Sequence, residues 1–244
     1  MSEKRIVETC LSPALYDCHK NNDAIVVVID ILRATASIVT AFMNGAQKLI
    51  PVGTLDEARE YKSKGFMVAA ERDGIKRDFA DFGNSPYNFT KERVANNDIV
   101  YSTTNGTNTI MLAKEAYRVA IGAYLNITAL KDYIVKEQRD LVLLCAGWKN
   151  RFNLEDTLFA GALAQMVLEE ENYTTICDST HGAMDLWDVA KVNLMGYIDK
   201  AAQRSRLRKN GLDDVIEYCH ELDKTSLIPV LENNYIVELN SAKL

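Results

Sequence analysis

The sequence predicts an α/β protein with three layers, α/β/α, in which helices cover both faces of a mostly parallel or mixed sheet. The first reason is residues 25–29, an unbroken run of β-branched residues that is typical of a strand buried on both faces. The second is the alternation of strand and helix segments up to about residue 171, which is the pattern of a helix-covered sheet. The third is a change of character after Thr180, from which we expect a helix-rich C-terminal third.

Local signals position the elements along the chain. Thr54 and Glu57 have the spacing of a capping box at the start of a helix. Thr35 is expected to be the N-cap of a helix that ends at Gly45, and Asn153 is expected to cap another. The predicted strands are residues 5–9, 25–29, 48–52, 66–70, 98–101, 118–122, 140–146, 226–230 and 235–239, and the predicted helices are residues 36–43, 54–64, 108–116, 126–138 and 154–171, with more in 181–222.

Composition narrows the classes of function. The chain has 244 residues, of which 48% are hydrophobic and 25% charged, as in ordinary soluble globular proteins. Its net charge of -6 argues against nucleic-acid binding, which requires a basic face. No apolar run approaches the ~18 residues that span a membrane, so we expect no membrane partner. We expect a single α/β domain over residues 1–244, or two packed lobes with a break near residues 140–180, because no linker divides the chain.

The cysteines and the N-terminal residues indicate the cellular compartment. The five cysteines have no CxxC spacing, so we expect reduced thiols and no zinc site. The N-terminal residues are polar and lead into a strand, unlike a signal peptide. A cytoplasmic location is therefore expected.

Reactive side chains follow four of the predicted strands. They are Asp30, Glu71 with Arg72, the polar loop 102–107, and the region after Ala146. If the sheet is parallel, these strand ends share one edge, and their side chains converge in one cleft. Asp30 can also act only as the cap of its turn, and that interpretation stays open.

The loop of residues 102–107 lies between a strand and a helix, as anion-binding loops do. Its N–H groups and hydroxyls can surround phosphate or sulfonate oxygens. The alternative is an ordinary loop whose hydroxyls cap its helix. The chain has neither a Walker A loop nor a GxGxxG fingerprint. The candidate substrate-binding residues of this loop and of the neighbouring strand ends are Arg33, Thr35, Arg72, Ser102, Thr103, Thr104 and Asn105.

Four carboxylates are candidate ligands of a hard divalent cation. Asp30 and Glu71 lie at strand ends, and Glu155 and Asp156 lie in the first turn of a predicted helix. Mg²⁺ usually takes one or two protein carboxylates, keeps several waters and accepts phosphate oxygens of the substrate. The alternative for Glu155 and Asp156 is that they only complement the positive end of their helix.

Five blocks of residues resemble the 2-phosphosulfolactate phosphatase family. In chain order they are Asp30-Ile-Leu-Arg33-Ala-Thr35, Glu71-Arg72, Gly83-Asn84-Ser85-Pro86, Thr103-Thr-Asn105-Gly-Thr107 and Glu155-Asp156-Thr-Leu-Phe-Ala-Gly161. The tail from residue 199 to 223 is similar as well. Ala70 and Asp73, which flank the second block, and residues 147–151 depart from the family pattern, in loops that are expected to select the substrate.

The resemblance implies a Mg²⁺-dependent phosphoric monoester hydrolase. Its reaction releases phosphate from 2-phospho-3-sulfolactate and leaves 3-sulfolactate, a step of one route to coenzyme M. The resemblance places the site at Asp30, Arg33, Glu71, Arg72, Thr103, Thr104, Asn105, Glu155 and Asp156. The expected partner is therefore a small polyanion that carries phosphate plus sulfonate or carboxylate, and base rates for soluble enzymes favour a homodimer.

Two kinds of mechanism and one non-catalytic function remain open. Asp30, Glu71 and Asp156 are the candidate catalytic residues, with water as the nucleophile and a carboxylate as general base. Asp30 can instead form an aspartyl-phosphate on another small phosphorylated acid, although Leu32 replaces the second aspartate of the DxDx[TV] pattern. A non-catalytic oligoanion-binding protein would use the same loop and arginines without turnover.

Overall fold

The computed structural model describes residues 4–239. In this range, 11 strands form one sheet. They are β1 (Arg5–Cys10), β2 (Ile25–Ile29), β3 (Lys48–Pro51), β4 (Met67–Arg72), β5 (Ile75–Lys76), β6 (Asp98–Ser102), β7 (Arg118–Gly122), β8 (Leu141–Cys145), β9 (Tyr173–Thr174), β10 (Pro229–Glu232) and β11 (Tyr235–Glu238).

The α-helices of the described range fill the connections between the strands and most of the C-terminal third. They are α1 (Tyr16–His19), α2 (Ala34–Met43), α3 (Leu55–Ser63), α4 (Lys91–Val94), α5 (Gly106–Leu112), α6 (Ile127–Glu137), α7 (Leu154–Leu168), α8 (Asp178–Ala190), α9 (Leu194–Tyr197), α10 (Ala202–Lys209) and α11 (Ile216–Cys219). The helix-rich C-terminal third is thus confirmed.

The sheet is mixed, with the strand order β5-β4-β6-β3-β11-β10-β7-β2-β8-β1-β9. One parallel group consists of β4, β6 and β3. The other consists of β7, β2, β8, β1 and β9. The C-terminal hairpin of β10 and β11 joins them through three antiparallel pairings. Strand pairing alone therefore does not bring the carboxyl ends of both groups to one edge.

Strand β2 is the centre of the larger parallel group and of the core. All five of its residues are fully buried, and it contacts both α5 and α7. A strand buried along its whole length must be covered on both faces, because successive side chains point to opposite sides of the sheet. The predicted α/β fold with a helix-covered sheet is confirmed. A second, smaller apolar cluster lies around Val68 and Val100, where α3 contacts β4 and β6.

Three predicted boundaries next to the candidate site are wrong. Helix α2 begins at Ala34, so Thr35 is in its first turn and is not the N-cap. Helix α5 begins at Gly106, and the prediction of a helix from residue 108 to 116 is displaced. Strand β4 continues through Arg72, because Glu71 and Arg72 pair with the antiparallel β5, a strand that is absent from the predicted elements.

Other local predictions are confirmed. Thr54 and Glu57 form the capping box of α3. The two predicted C-terminal strands are present and pair as a hairpin, with Asn233 and Asn234 in the left-handed conformation that such a turn requires, although β10 is Pro229–Glu232 and not residues 226–230. Asn153 occupies the N-cap position of α7, but its side chain makes no capping hydrogen bond. The single-domain prediction covers residues 1–244, beyond the described range, and stays a prediction. Among the described residues, no helix is long and apolar enough to cross a membrane.

Candidate active site

The loops that follow β2, β4, β6 and β8 meet around a small polar cavity, which we call the inner cavity. Its volume is about 20 Å³. It is lined by Asp30, Leu32, Arg33, Glu71, Gly74, Asn84, Thr104, Asn105, Trp148 and Gln203. Hydrogen bonds connect the loops of the two parallel groups, from Arg33 to the carbonyl of Gly74 and from the N–H of Lys149 to Asn105. The predicted convergence in one cleft is therefore observed, although the sheet is mixed.

Asp30 lies directly after β2 and is buried. Its Oδ1 accepts a hydrogen bond from the N–H of Ala34 at 3.3 Å, and its own N–H donates to Oγ1 of Thr35 at 3.2 Å. Burial raises the pKa of Asp30 to about 6, and the negative charge of Glu71 adds to the shift, whereas the N–H of Ala34 and the charge of Arg33 oppose it. Thr35 is fully buried and is absent from the cavity lining, so the structure places its hydroxyl against the backbone of Asp30.

Glu71 connects the turn after β4 with the loop after β6. Its carboxylate accepts hydrogen bonds from the N–H of Gly74 at 2.6 Å and from the N–H of Thr104 at 2.7 Å. The hydroxyl of Thr104 also donates to it, at 3.0 Å. Because three donors hold this carboxylate, Glu71 fixes the shape of one cavity wall. Its predicted catalytic and metal-binding roles stay predictions.

The two candidate arginines differ in position. Arg33 is buried and lines the inner cavity, where its guanidinium donates to the carbonyl of Gly74 at 3.0 Å. Burial lowers the pKa of Arg33, and the negative charge of Glu71 opposes this. Arg72 is absent from the lining; it donates to the carbonyls of Glu71 and Gly53 and to Oγ of Ser102. Arg33 therefore lies at the site, whereas Arg72 is hydrogen-bonded to residues at the strand ends.

The predicted anion-binding loop contributes two of its four candidates to the cavity lining. Thr104 and Asn105 line it, whereas Ser102 and Thr103 are buried behind it. Oγ1 of Thr103 accepts a hydrogen bond from the N–H of Thr107 at 3.2 Å, in the first turn of α5. The helix-capping interpretation therefore describes Thr103, and the binding role of Ser102 and Thr103 stays a prediction.

Glu155 and Asp156 are adjacent in the first turn of α7 but have different surroundings. Asp156 accepts hydrogen bonds from the N–H of Ile31 at 2.9 Å and of Gly147 at 3.0 Å, so it ties the loop after β2 to the loop after β8. Glu155 is buried, and neither of its carboxylate oxygens has a hydrogen-bond partner in residues 4–239. Burial raises the pKa of Glu155 to about 7, and the charge of Asp30 contributes. Burial likewise raises the pKa of Asp156.

Several residues of the site were missing from the predicted site residues, among them Gln203, Arg206 and Trp148. Gln203 lines the inner cavity and donates to the carbonyl of Leu32 at 3.0 Å. Arg206, one turn further along α10, lies with its guanidinium carbon 4.2 Å from the ring centre of Trp148, another lining residue. The similarity of residues 199–223 to the family pattern was the available signal, although no single residue stood out.

Comparison with known proteins identifies the family. The 2-phosphosulpholactate phosphatase family matches residues 10–234 of this chain. The chain belongs to this family. A protein of Thermotoga maritima named probable 2-phosphosulfolactate phosphatase is 35% identical over 211 residues, which cover 86% of this chain and 90% of the relative. Relatives with the same name are 34% identical in Caldanaerobacter subterraneus subsp. tengcongensis, covering 86% and 89%, and 32% identical in Clostridium acetobutylicum, covering 89% and 93%.

Membership of the 2-phosphosulfolactate phosphatase family confirms the resemblance and the expected enzyme class, a phosphoric monoester hydrolase with a small phosphorylated substrate. The residues of the inner cavity suit that class. Arg33 offers a buried positive charge to a phosphoryl group, and Asp30 offers a carboxylate with a pKa of about 6. General acid–base catalysis is most effective when the pKa lies near the working pH.

The acidic residues fit a magnesium ion. The unpartnered oxygens of Glu155 and the buried carboxylate of Asp30 are oxygen ligands of the kind that Mg²⁺ prefers. Within residues 4–239, no three or more His, Cys, Asp or Glu side chains are grouped so as to hold a metal ion. One or two carboxylates are enough for Mg²⁺, which commonly keeps several waters and binds substrate phosphate. The donor set is thus compatible with the ion that the family resemblance implies.

Proposed function

We propose that this protein hydrolyses 2-phospho-3-sulfolactate to 3-sulfolactate and phosphate, with Mg²⁺ as cofactor. The observation that carries the proposal is the inner cavity, where the strand-end carboxylate of Asp30 and the buried Arg33 lie together in a chain of this family. The names of the relatives support the substrate. The family resemblance supports the cofactor, and so does the unpartnered carboxylate of Glu155.

The charge of the substrate explains why these residues are needed. 2-Phospho-3-sulfolactate carries a carboxylate, a sulfonate and a phosphate whose second ionisation has a pKa of ~6, so its total charge is about -4 near neutral pH. A nucleophile approaching that charge requires local positive charge first. Arg33 supplies part of it, in a buried position where a guanidinium binds phosphate oxygens in bidentate geometry.

The remaining residues have distinct roles in the proposed mechanism. Asp30 and Glu155 would hold Mg²⁺, whose chemistry when bound is to neutralise phosphoryl oxygens and to lower the pKa of a coordinated water. Oδ2 of Asp30 would take the proton of the attacking water, and as the P–O bond of the ester breaks, the alkoxide oxygen of 3-sulfolactate takes up a proton, so that the net reaction consumes one water. Thr104 and Asn105 orient the phosphoryl group, and the hydrogen bonds from Thr104 to Glu71 keep that wall in place.

Phosphate release tests the proposal. The purified protein is treated with EDTA, dialysed, and assayed with 2-phospho-3-sulfolactate before and after addition of Mg²⁺. We expect no release in the chelated sample and recovery with Mg²⁺. Full activity in the chelated sample would contradict the metal requirement. Heat of binding without phosphate release would support the oligoanion-binding alternative. Phosphorylated Asp30 in acid-quenched samples would instead assign the nucleophilic role to that carboxylate.

The wider assignments rest on the same proposal. A product of 3-sulfolactate suits the route to coenzyme M that the family resemblance implies, and the expected compartment is the cytoplasm. The homodimer also belongs to the proposal, and sedimentation equilibrium measures it directly.

A further inference from the structure

A larger pocket opens next to the inner cavity. This outer pocket has a volume of about 440 Å³. It is lined by Pro13, Ala14, Thr104, Asn105, Asn108, Thr109, Leu112, Ala146, Lys149 and Asn150. Thr104 and Asn105 line both spaces, so these two residues form the wall that the inner cavity and the outer pocket share.

The volumes of the inner cavity and the outer pocket limit which part of the substrate each can hold. A cavity of about 20 Å³ has room for a water molecule or an ion, since one water needs at least ~10–15 Å³. An organic molecule with three acidic groups does not fit there. The outer pocket, across the shared wall of Thr104 and Asn105, has room for the rest of a substrate whose phosphoryl group lies at the inner cavity.

Lys149 is the only charged residue among the described residues that line the outer pocket. It lies in a tight turn that two backbone hydrogen bonds between Trp148 and Arg151 close. Its N–H donates to Oδ1 of Asn105 at 3.1 Å, which fixes the turn to the shared wall. Its Nζ lies 2.8 Å from Oδ1 of Asp73, and both side chains of this ion pair are 58% exposed. The pair thus joins the loop after β4 to the loop after β8, in contact with solvent.

We propose that the outer pocket binds the sulfonate of the substrate, and that Lys149 exchanges its contact with Asp73 for this anion. The inference rests on the proposed function, since it assigns a second group of the same substrate. An exposed ion pair is worth little, so Lys149 can leave Asp73 at small cost. The ammonium group of a lysine is a compact point charge on a flexible stem, so Lys149 can turn from Asp73 to a sulfonate oxygen.

None of the three arginines near the site, Arg33, Arg72 and Arg206, lines the outer pocket. The guanidinium of Arg72 donates to Ser102 and to two backbone carbonyls and lines neither space. Arg33 lines only the inner cavity.

The test compares two substrates on three variants. 2-Phospholactate keeps the phosphate and the carboxylate but lacks the sulfonate. Lys149→Met keeps the unbranched side chain and removes its charge. It should lower kcat/KM for 2-phospho-3-sulfolactate about tenfold, because one charged contact is lost. For 2-phospholactate, kcat/KM should change less than twofold. Asp73→Asn should raise kcat/KM for the sulfonate substrate a few-fold, because it removes the competing anion; Asn tolerates the positive φ of 54° at this position.

Lys64→Met is the matched control. Lys64 is 57% exposed, forms an ion pair with Glu60 and lies 5.7 Å from the ring centre of Tyr61, much as Lys149 lies 5.3 Å from that of Trp148. This variant should leave both substrates unchanged. Equal losses on both substrates in Lys149→Met would assign Lys149 to the carboxylate or to structure and would overturn the inference.

Product binding separates this inference from the proposed function. Calorimetry with 3-sulfolactate needs no turnover, and we expect Lys149→Met to weaken binding about tenfold and Asp73→Asn to strengthen it. If wild type binds 3-sulfolactate through Lys149 but releases no phosphate, the proposed function fails and the subsite stands. If phosphate is released but Lys149→Met binds 3-sulfolactate as tightly as wild type does, the subsite is refuted and the proposed function stands. Absence of binding in wild type also refutes the subsite.

Discussion

Gly106 approaches Asp30 so closely that a β-carbon on Gly106 would lie 2.9 Å from Oδ2 of Asp30 and 2.7 Å from Cβ of Ala34. Both contacts are too short for a real β-carbon, so both must lengthen. The carboxylate of Asp30 can turn away, whereas relief at Ala34, in the first turn of α2, requires a shift of α2 or of the start of α5. The start of α5 and the carboxylate of Asp30, the candidate catalytic group, are therefore fitted to each other.

We predict that Gly106→Ala reduces phosphate release because it displaces the carboxylate of Asp30. A loss of tenfold or more in kcat is expected, with a stability cost of about 1–3 kcal/mol from overpacking. Steady-state kinetics and urea unfolding measure the two effects. Gly182→Ala is the control: a β-carbon on Gly182 meets nothing within 4 Å, and the residue lies in α8, so this change should leave the rate unchanged. An unaltered rate in Gly106→Ala would argue against a direct role of Asp30.

Asp30→Asn should lower activity and raise stability at pH 8. The rate should fall about a hundredfold or more, since a charge that acts on the transition state is lost. Burial raises the pKa of Asp30 to about 6, above the ~3.9 of an aspartate in the unfolded chain. The protonated carboxyl group therefore stabilises the fold below pH ~4, and this contribution is lost as the pH rises through about 6. At pH 8 the folded state carries a buried charge that Asn lacks, and the free energy of unfolding should increase by about 1–3 kcal/mol.

Phosphate release and urea unfolding at pH 8 check both parts of that prediction. A variant that unfolds, while its folded fraction works at the normal rate, would favour the interpretation of Asp30 as a cap of its turn. The exposed Asp132 provides the control, and Asp132→Asn should change neither quantity.

Arg33→Met and Arg72→Met should separate the two arginines. Arg33 lines the inner cavity, so its loss should reduce kcat/KM about ten- to hundredfold, the worth of a charged hydrogen bond to the phosphoryl group. Arg72 holds two backbone carbonyls and Ser102, so its loss should lower the free energy of unfolding by about 1–3 kcal/mol and affect turnover of the folded protein less. Steady-state kinetics and denaturant titration of both variants measure these two effects. Equal kinetic losses in the two variants would restore Arg72 as a substrate-binding residue.

The sequence was informative where local pattern and tertiary structure agree. The apolar run before Asp30 predicts a buried strand, and its end at a carboxylate predicts a reactive group at the strand tip. The extension of β4 through Arg72 was missed because charged residues usually mark a strand end. The neglected signal was Asp73-Gly74, two residues with positive φ that form the hairpin turn between β4 and β5.

Residues contributed by distant segments were beyond such patterns. Gln203 and Arg206 lie in α10, a short helix with charged residues that has the composition of a solvated surface. Only its packing against Leu32 and Trp148 places it at the cavity, through contacts that span many residues of sequence. Likewise, the shape of the outer pocket depends on how the loop after β8 meets the loop after β6, and neither loop specifies that alone.

The last prediction concerns His220, whose imidazole is buried on the ring of Tyr124. Nδ1 of His220 lies 2.7 Å from the carbonyl oxygen of Ile216, and Nε2 has no partner in residues 4–239. Burial lowers the pKa of His220 to about 4, and the positive charge of Arg204 contributes. Below pH ~6.5 the unfolded chain takes up a proton that the folded protein takes up only near pH 4, so acid destabilises the fold across this window.

His220→Asn should therefore flatten the dependence of stability on pH. At ~1.36 kcal/mol per pKa unit, the free energy of unfolding of the wild type should fall by about 2 kcal/mol more than that of the variant between pH 7 and pH 5. Urea titrations at both pH values measure this difference, in which contributions from all other groups cancel. Because the comparison uses the slope, a lower stability of the variant at pH 7 from lost packing does not affect it. His181→Asn, at an exposed position of α8, should retain the wild-type slope. If His220→Asn keeps that slope too, the buried imidazole is protonated in the folded protein, and a partner for Nε2 must exist.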